Sequence, residues 1–190
     1  MKKIFIILIC LCTLFAFCAC GESSKESSTS DLPQSNTEAT KEKKLSADEL
    51  NAELKKQPCY VYETEYYVQD DNYKSLYPDL LLPKIKNQSD TNIKDVWVAF
   101  VAWDPNGLPV IIESTGDSGY IVECAFNGIN LTKGETLTDY GLQLTQDFAF
   151  SEQVDKFKAI VTHYKDFDGN TWDNPLYSDW KEMYKEKELK

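Results

Sequence analysis

Apolar and polar residues divide this chain into four textures. Ile4 to Phe17 is apolar with Thr13 as its one interruption, and Gly21 to Lys44 is almost wholly polar. Alternation sets in at Cys59, and helical spacing returns after Pro175. The alternating region predicts strands at Cys59–Gln69, Leu80–Lys86, Ile93–Trp103, Leu108–Glu113, Tyr120–Phe126, Gly141–Gln146 and Phe157–Tyr164. In Ile93–Trp103 both alternating sets are apolar: Val96, Val98, Phe100 and Ala102 against Trp97, Ala99, Val101 and Trp103. A strand apolar on both sides must be covered on both sides, so this one is central. Asp104-Pro105-Asn106-Gly107 and Asp168-Gly169 are turn signals, the second returning the chain through Thr171 and Trp172. Short strands at regular spacing favour an all-β sandwich over an α/β fold.

Two helices flank the strands. Ser46 and Glu49 form a capping box, Leu45 and Leu50 occupy staple positions, and Pro58 ends the segment. At the other end Asn174 can cap, Pro175 suits a first helical position, and Leu176, Trp180, Met183 and Tyr184 share a face. That stripe predicts a lid over a sheet.

The first texture changes the picture from fold to place. Lys2 and Lys3 precede the apolar run, which ends in Phe17-Cys18-Ala19-Cys20-Gly21. A small residue before a cysteine there resembles the lipobox of bacterial lipoproteins, which implies a signal peptide over 1–19 and diacylglycerol on the sulfur of Cys20. Phe17 and Cys18 depart from the usual lipobox pattern. An uncleaved anchor and cleavage without lipid are the alternatives, the run being short for a bilayer of about 30 Å. Two acyl chains suffice for stable anchoring. Residues 20–44 then form a tether too polar to offset the entropy of ordering. At about 5–6 Å × √n its mean reach is roughly 30 Å. Residues 45–190 are left as a single domain, expected on the extracytoplasmic face of the cell membrane.

Charge narrows the partners. The net charge is −11, and all 20 basic residues are lysine. Nucleic acid is excluded by the missing basic patches, and so is a polybasic grip on anionic lipid. An envelope protein or a glycan remains as partner. Four of the six cysteines lie in the leader, leaving Cys59 and Cys124 as thiols if Cys20 is lipidated. Export permits a disulfide between them, while their apolar strand setting equally suits free buried thiols.

Candidate chemistry is sparse. The single histidine, His163, lies on a strand without a partner motif for catalysis or metal binding. Asp166, Asp168, Asn170 and Asp173 place oxygens near calcium-ligand spacing, yet Gly169 comes too early for an EF-hand and Tyr177 stands where its glutamate should be. A hairpin turn explains the same residues, so no cofactor is expected beyond that calcium candidate. The 31 acidic residues make chance carboxylate pairs unavoidable, and no spacing singles out a hydrolase pair. Trp97, Trp103 and Trp172, with Tyr66 and Tyr67, are candidates for an aromatic binding face; core packing is their commoner fate.

Several motifs occur in a fixed order: Gln57-Pro58-Cys59-Tyr60-Val61, Tyr73-Lys74-Ser75-Leu76-Tyr77-Pro78-Asp79, Lys86-Asn87-Gln88-Ser89, Ile93-Lys94-Asp95-Val96, Ala102-Trp103-Asp104-Pro105-Asn106-Gly107, Gly128-Ile129-Asn130-Leu131 and Asp168-Gly169-Asn170-Thr171-Trp172-Asp173-Asn174-Pro175. Over residues 45–190 this order resembles an uncharacterised domain family of low-GC Gram-positive lipoproteins and surface proteins. That family implies no activity and no site residues. More loosely, the central strand and the Gly134-Glu135 turn resemble immunoglobulin-like adhesion and assembly modules. The expectation is an immunoglobulin-like antiparallel β-sandwich with a short N-terminal and a C-terminal helix, working by binding, with no catalysis. A cell-envelope hydrolase, a calcium-dependent binding protein and a structural accessory to a membrane complex are the alternatives.

Overall fold

The computed structural model describes residues 44–74, 76–145 and 154–189; the leader, Cys20 and most of the tether lie outside them. The described chain is mostly β, in antiparallel sheets, with two short helices. In the first sheet β1 (Cys59–Tyr67) pairs with β2 (Leu80–Asn87). The far side of β2 is shared by β8 (Thr136–Leu137) and β9 (Leu142–Gln143). Pro83 explains the split. It has no N–H to give a neighbour, and it lies between the two short partners, which pair at Ile85–Lys86 and Leu80–Leu81.

The second sheet is built on β3 (Ile93–Trp103) and β10 (Lys156–Asp166). β11 (Thr171–Asp173) extends it beyond β10, and β4 (Pro109–Val110) and β7 (Val122–Phe126) flank β3. The stretch expected as one hairpin partner of β3 divides. After two pairs the chain leaves β3 and forms its own ribbon, β5 (Ile112–Glu113) with β6 (Ser118–Gly119). The Ser114–Asp117 backbone hydrogen bond of 3.0 Å closes that ribbon.

β3 is central, as its double apolar pattern requires. Val96, Val98, Phe100 and Ala102 join Leu81, Ile85, Leu142 and Phe157 in the core between the sheets. Ala99, Val101 and Trp103 enter a second cluster with Leu50, Ile160, Trp180 and Tyr184, under the helices α1 (Ala47–Leu54) and α2 (Tyr177–Tyr184).

The caps follow the sequence with one shift. Ser46 accepts from the Glu49 N–H, and the Glu49 carboxylate accepts from the Ser46 N–H at 2.8 Å. Leu45 packs on the cluster that holds Leu50. Asn174 caps a turn rather than the helix itself. Its Oδ1 accepts from the Leu176 N–H while its Nδ2 donates to the Val161 carbonyl. This fixes the turn to β10, and α2 starts at Tyr177.

Candidate functional site

The proposed aromatic face disperses. Trp103 is 1% exposed; it meets Tyr184 edge-on and donates its Nε1–H to the Lys187 carbonyl at 2.7 Å. It cannot face a ligand, because α2 and the segment after it cover that end of β3. Trp172 is half-buried and stacks on Tyr164 at 5.3 Å, against the sandwich core. Trp97 is half-buried too, stacked on His163 at 4.1 Å and 16°. His163 is thus a packing partner, with its Nδ1 at 3.3 Å from the Thr162 hydroxyl.

The oxygen set of the calcium candidate separates as well. Asp166 is buried, and its carboxylate accepts from the N–H groups of Asp168 and Asn170 and from the Asn170 amide. Those donors, the Asn170 side chain foremost, hold it below the usual carboxylate range. It closes the β10–β11 turn, in which Gly169 adopts φ +90°. Asp173 lies on β11 opposite His163. Among the described residues, no three His, Cys, Asp or Glu side chains converge as metal ligands.

Cys59 and Cys124 are free thiols, which corrects the disulfide alternative. Cys59 lies on β1, beside β10, whereas Cys124 lies on β7 beyond β3. Two strand spacings of about 4.8 Å separate β10 from β7, too far for a bridge that needs Cα atoms within about 7 Å. Burial pushes both thiols above their ordinary pKa, Cys59 the further.

What remains is a surface spread along the first sheet. The large apolar side chains exposed among the described residues are Tyr62, Tyr67, Val68, Tyr73, Leu76, Tyr77, Leu108, Ile111, Tyr140 and Phe167. Six of these ten lie between positions 62 and 77, on β1 and on its connection to β2. Single exposed apolar residues need no explanation; their concentration in one stretch does.

The connection is anchored, not loose. Asp79 is 1% exposed and accepts from the Gln69 N–H at 2.7 Å and the Tyr66 hydroxyl at 3.2 Å. Burial, then the Asp79 charge and hydrogen bond, push the Tyr66 phenol up to about 12. A helical turn between them runs from Asp70, whose carbonyl accepts from the N–H groups of Tyr73 and Lys74. It carries Tyr73 and Leu76 outward, at 54% and 71% exposure. Of this surface the aromatic candidates of the sequence include only Tyr67, since Tyr66 turns to the core, and they leave out Tyr62, Val68, Tyr73, Leu76 and Tyr77. The available signal was three aromatic or aliphatic residues in Tyr73–Tyr77, a segment with no strand periodicity to bury them.

A family model described as a family of unknown function, DUF5780, matches residues 81–187. The chain belongs to this family. The DUF5780 span runs from β2 to just past α2, so the exposed run from Tyr62 to Tyr77 precedes it. The fold is similar to a crystal structure of a hypothetical protein from Peptoclostridium difficile 630, with a TM-score of 0.56 and 13% identity. That similarity covers 70% of this chain and 94% of the other. No curated protein matches this DUF5780 chain.

Proposed function

We propose that this DUF5780 protein is a lipid-anchored binding module on the extracytoplasmic face of a Gram-positive cell membrane. In this reading Cys20 carries the lipid, residues 20–44 tether the domain, and an immunoglobulin-like sandwich presents a surface to an envelope partner without catalysing a reaction. The observation that supports it is the concentration of exposed apolar side chains at positions 62–77 on an anchored, hydrogen-bonded connection. Rigid tyrosines present large contact area at low entropic cost, which is how binding surfaces are commonly built.

Crosslinking in the native envelope tests it, comparing the wild type with the Tyr73→Ser/Leu76→Ser/Tyr77→Ser variant. The expected result is a defined crosslinked species that the variant loses. The same crosslinks from both proteins would overturn the assignment of this surface. For the anchor, Cys20→Ala should be released from the membrane fraction; full retention would refute lipid attachment.

A further inference from the structure

β1 is an edge strand with few of the usual protections. It is nine residues long, contains neither lysine nor proline, and among the described residues it pairs only with β2. Natural edges are generally blunted by short length, lysine, proline or a bulge. Here one bulge, at Tyr62, shifts the register between Val61 and Glu63, and Glu63 to Tyr67 then continue as a regular run. The outward N–H and C=O groups of that run have no partner strand among the described residues.

The neighbouring edge is open too. β10 meets β11 only at His163–Lys165, and Asn174 covers the Val161 carbonyl. From Lys156 to Ile160 the side of β10 away from β3 has no partner strand among the described residues. Between these two edges runs a groove of about 260 Å³, lined by Val61, Phe157 and Ala159 together with the charged Lys55, Glu63 and Lys158. The sandwich is therefore open along part of one seam, β1 and β10 drawing together over the rest of it, with backbone on both walls and a lining that mixes apolar and charged side chains.

We propose that this seam takes up an extended peptide segment of a partner protein, added antiparallel to β1 as a further strand of the first sheet. The inference rests on the binding-module reading and names its occupant. Strand addition of this kind draws affinity from main-chain hydrogen bonds and specificity from alternate side chains.

The chemistry of the occupant follows from the two faces of β1. On the inner face Val61, Thr64 and Tyr66 are half-buried, so inward residues of the added strand must be apolar. On the outer face Glu63 and Glu65 are exposed and share one ammonium, Lys84, at 2.8 and 3.1 Å. Two carboxylates on one lysine leave a negative charge, so residues facing them across the new ladder must be Lys or Arg. The occupant thus alternates apolar and basic residues. A second copy of this chain in antiparallel register centred on Thr64 meets repulsion instead, because Glu63 then lies opposite Glu65.

Three synthetic nine-residue peptides probe the seam of the full chain in detergent micelles. One alternates valine and lysine, one alternates valine and glutamate, and the third is the lysine peptide with alternate backbone amides N-methylated. Calorimetry reads the affinity, and hydrogen exchange reads protection of the backbone from Val61 to Tyr67. The lysine peptide is expected to bind at least about ten-fold tighter than the other two and to protect that run. A Glu63→Lys/Glu65→Lys variant with unchanged circular dichroism should reverse the charge preference. Equal binding of the N-methylated peptide would reduce the effect to bulk electrostatics and overturn strand addition. So would absence of binding, protection elsewhere, or an unreversed preference. If the peptides fail while the native crosslink still depends on Tyr73, Leu76 and Tyr77, the seam proposal falls and the binding-module reading stands.

Discussion

Two aromatic regions of this molecule have opposite fates. On the helix-covered face of the second sheet, Trp103, Trp180 and Tyr184 interlock edge to face at 5.5–6.0 Å, each 6% exposed or less. Along the first sheet's edge and the β1–β2 connection, Tyr62, Tyr67, Tyr73 and Tyr77 are 40–58% exposed. Composition does not separate them, since both are rich in tyrosine or tryptophan among charged neighbours. The difference is whether another element arrives to cover the ring. Two amphipathic helices cap the outer face of β3 and β10, whereas β1 ends its sheet.

Trp180 carries the largest expected effect. Trp180→Ala should lower the unfolding free energy by about 3–5 kcal/mol, read from chemical denaturation, because the packed helix layer cannot close over the void. A loss under about 1 kcal/mol would mean the two aromatic regions do not differ in kind. Next comes Asp79→Ala, which strands the Gln69 N–H and the Tyr66 hydroxyl. It should cost about 1–3 kcal/mol and raise hydrogen exchange across 68–78, while leaving α2 unaffected.

A pH titration sharpens the same anchor. The Tyr66 phenol ionises near 12 in the folded protein and near 10 when unfolded. Below about pH 10 both states hold the proton, so the stability due to this group is fully present. Between about pH 10 and 12 only the unfolded chain releases it, so stability falls as pH rises. Tyr66→Phe should flatten that part of the curve, and an unchanged alkaline slope would count against the Asp79 anchor. The smallest effect is expected from Leu76→Ser/Tyr77→Ser, within about 0.5 kcal/mol of wild type. A larger loss would show that this run packs as structure and is not a free surface.

Much of the architecture was legible because it is periodic or local. The doubly apolar pattern of Ile93–Trp103 announced a covered central strand, and Ser46 with Glu49 announced the start of α1. Asp168-Gly169 announced the β10–β11 turn. The division of Leu108–Glu113 was not legible, since which ladder a two-residue strand joins depends on neighbours distant in sequence. Exposure of the candidate site residues was not legible for the same reason. Trp103 and Trp97 belong to the same alternating set of one strand, yet only Trp103 is sealed by the chain around α2. Cys59 and Cys124 are both strand residues, and only the order of strands sets them apart.

By itself, the sequence determined the strand-rich class, the capped first helix and the amphipathic last one, the acidic arginine-free composition and the polar stretch before the domain. These follow from spacing and residue chemistry within a few positions. Tertiary structure alone decided which aromatics stay in solvent, that Asp166 is consumed by its own turn, and that β1 and β10 leave a seam open. Burial and pairing are set by elements far apart in the chain, and one-dimensional periodicity carries no record of which of them meet.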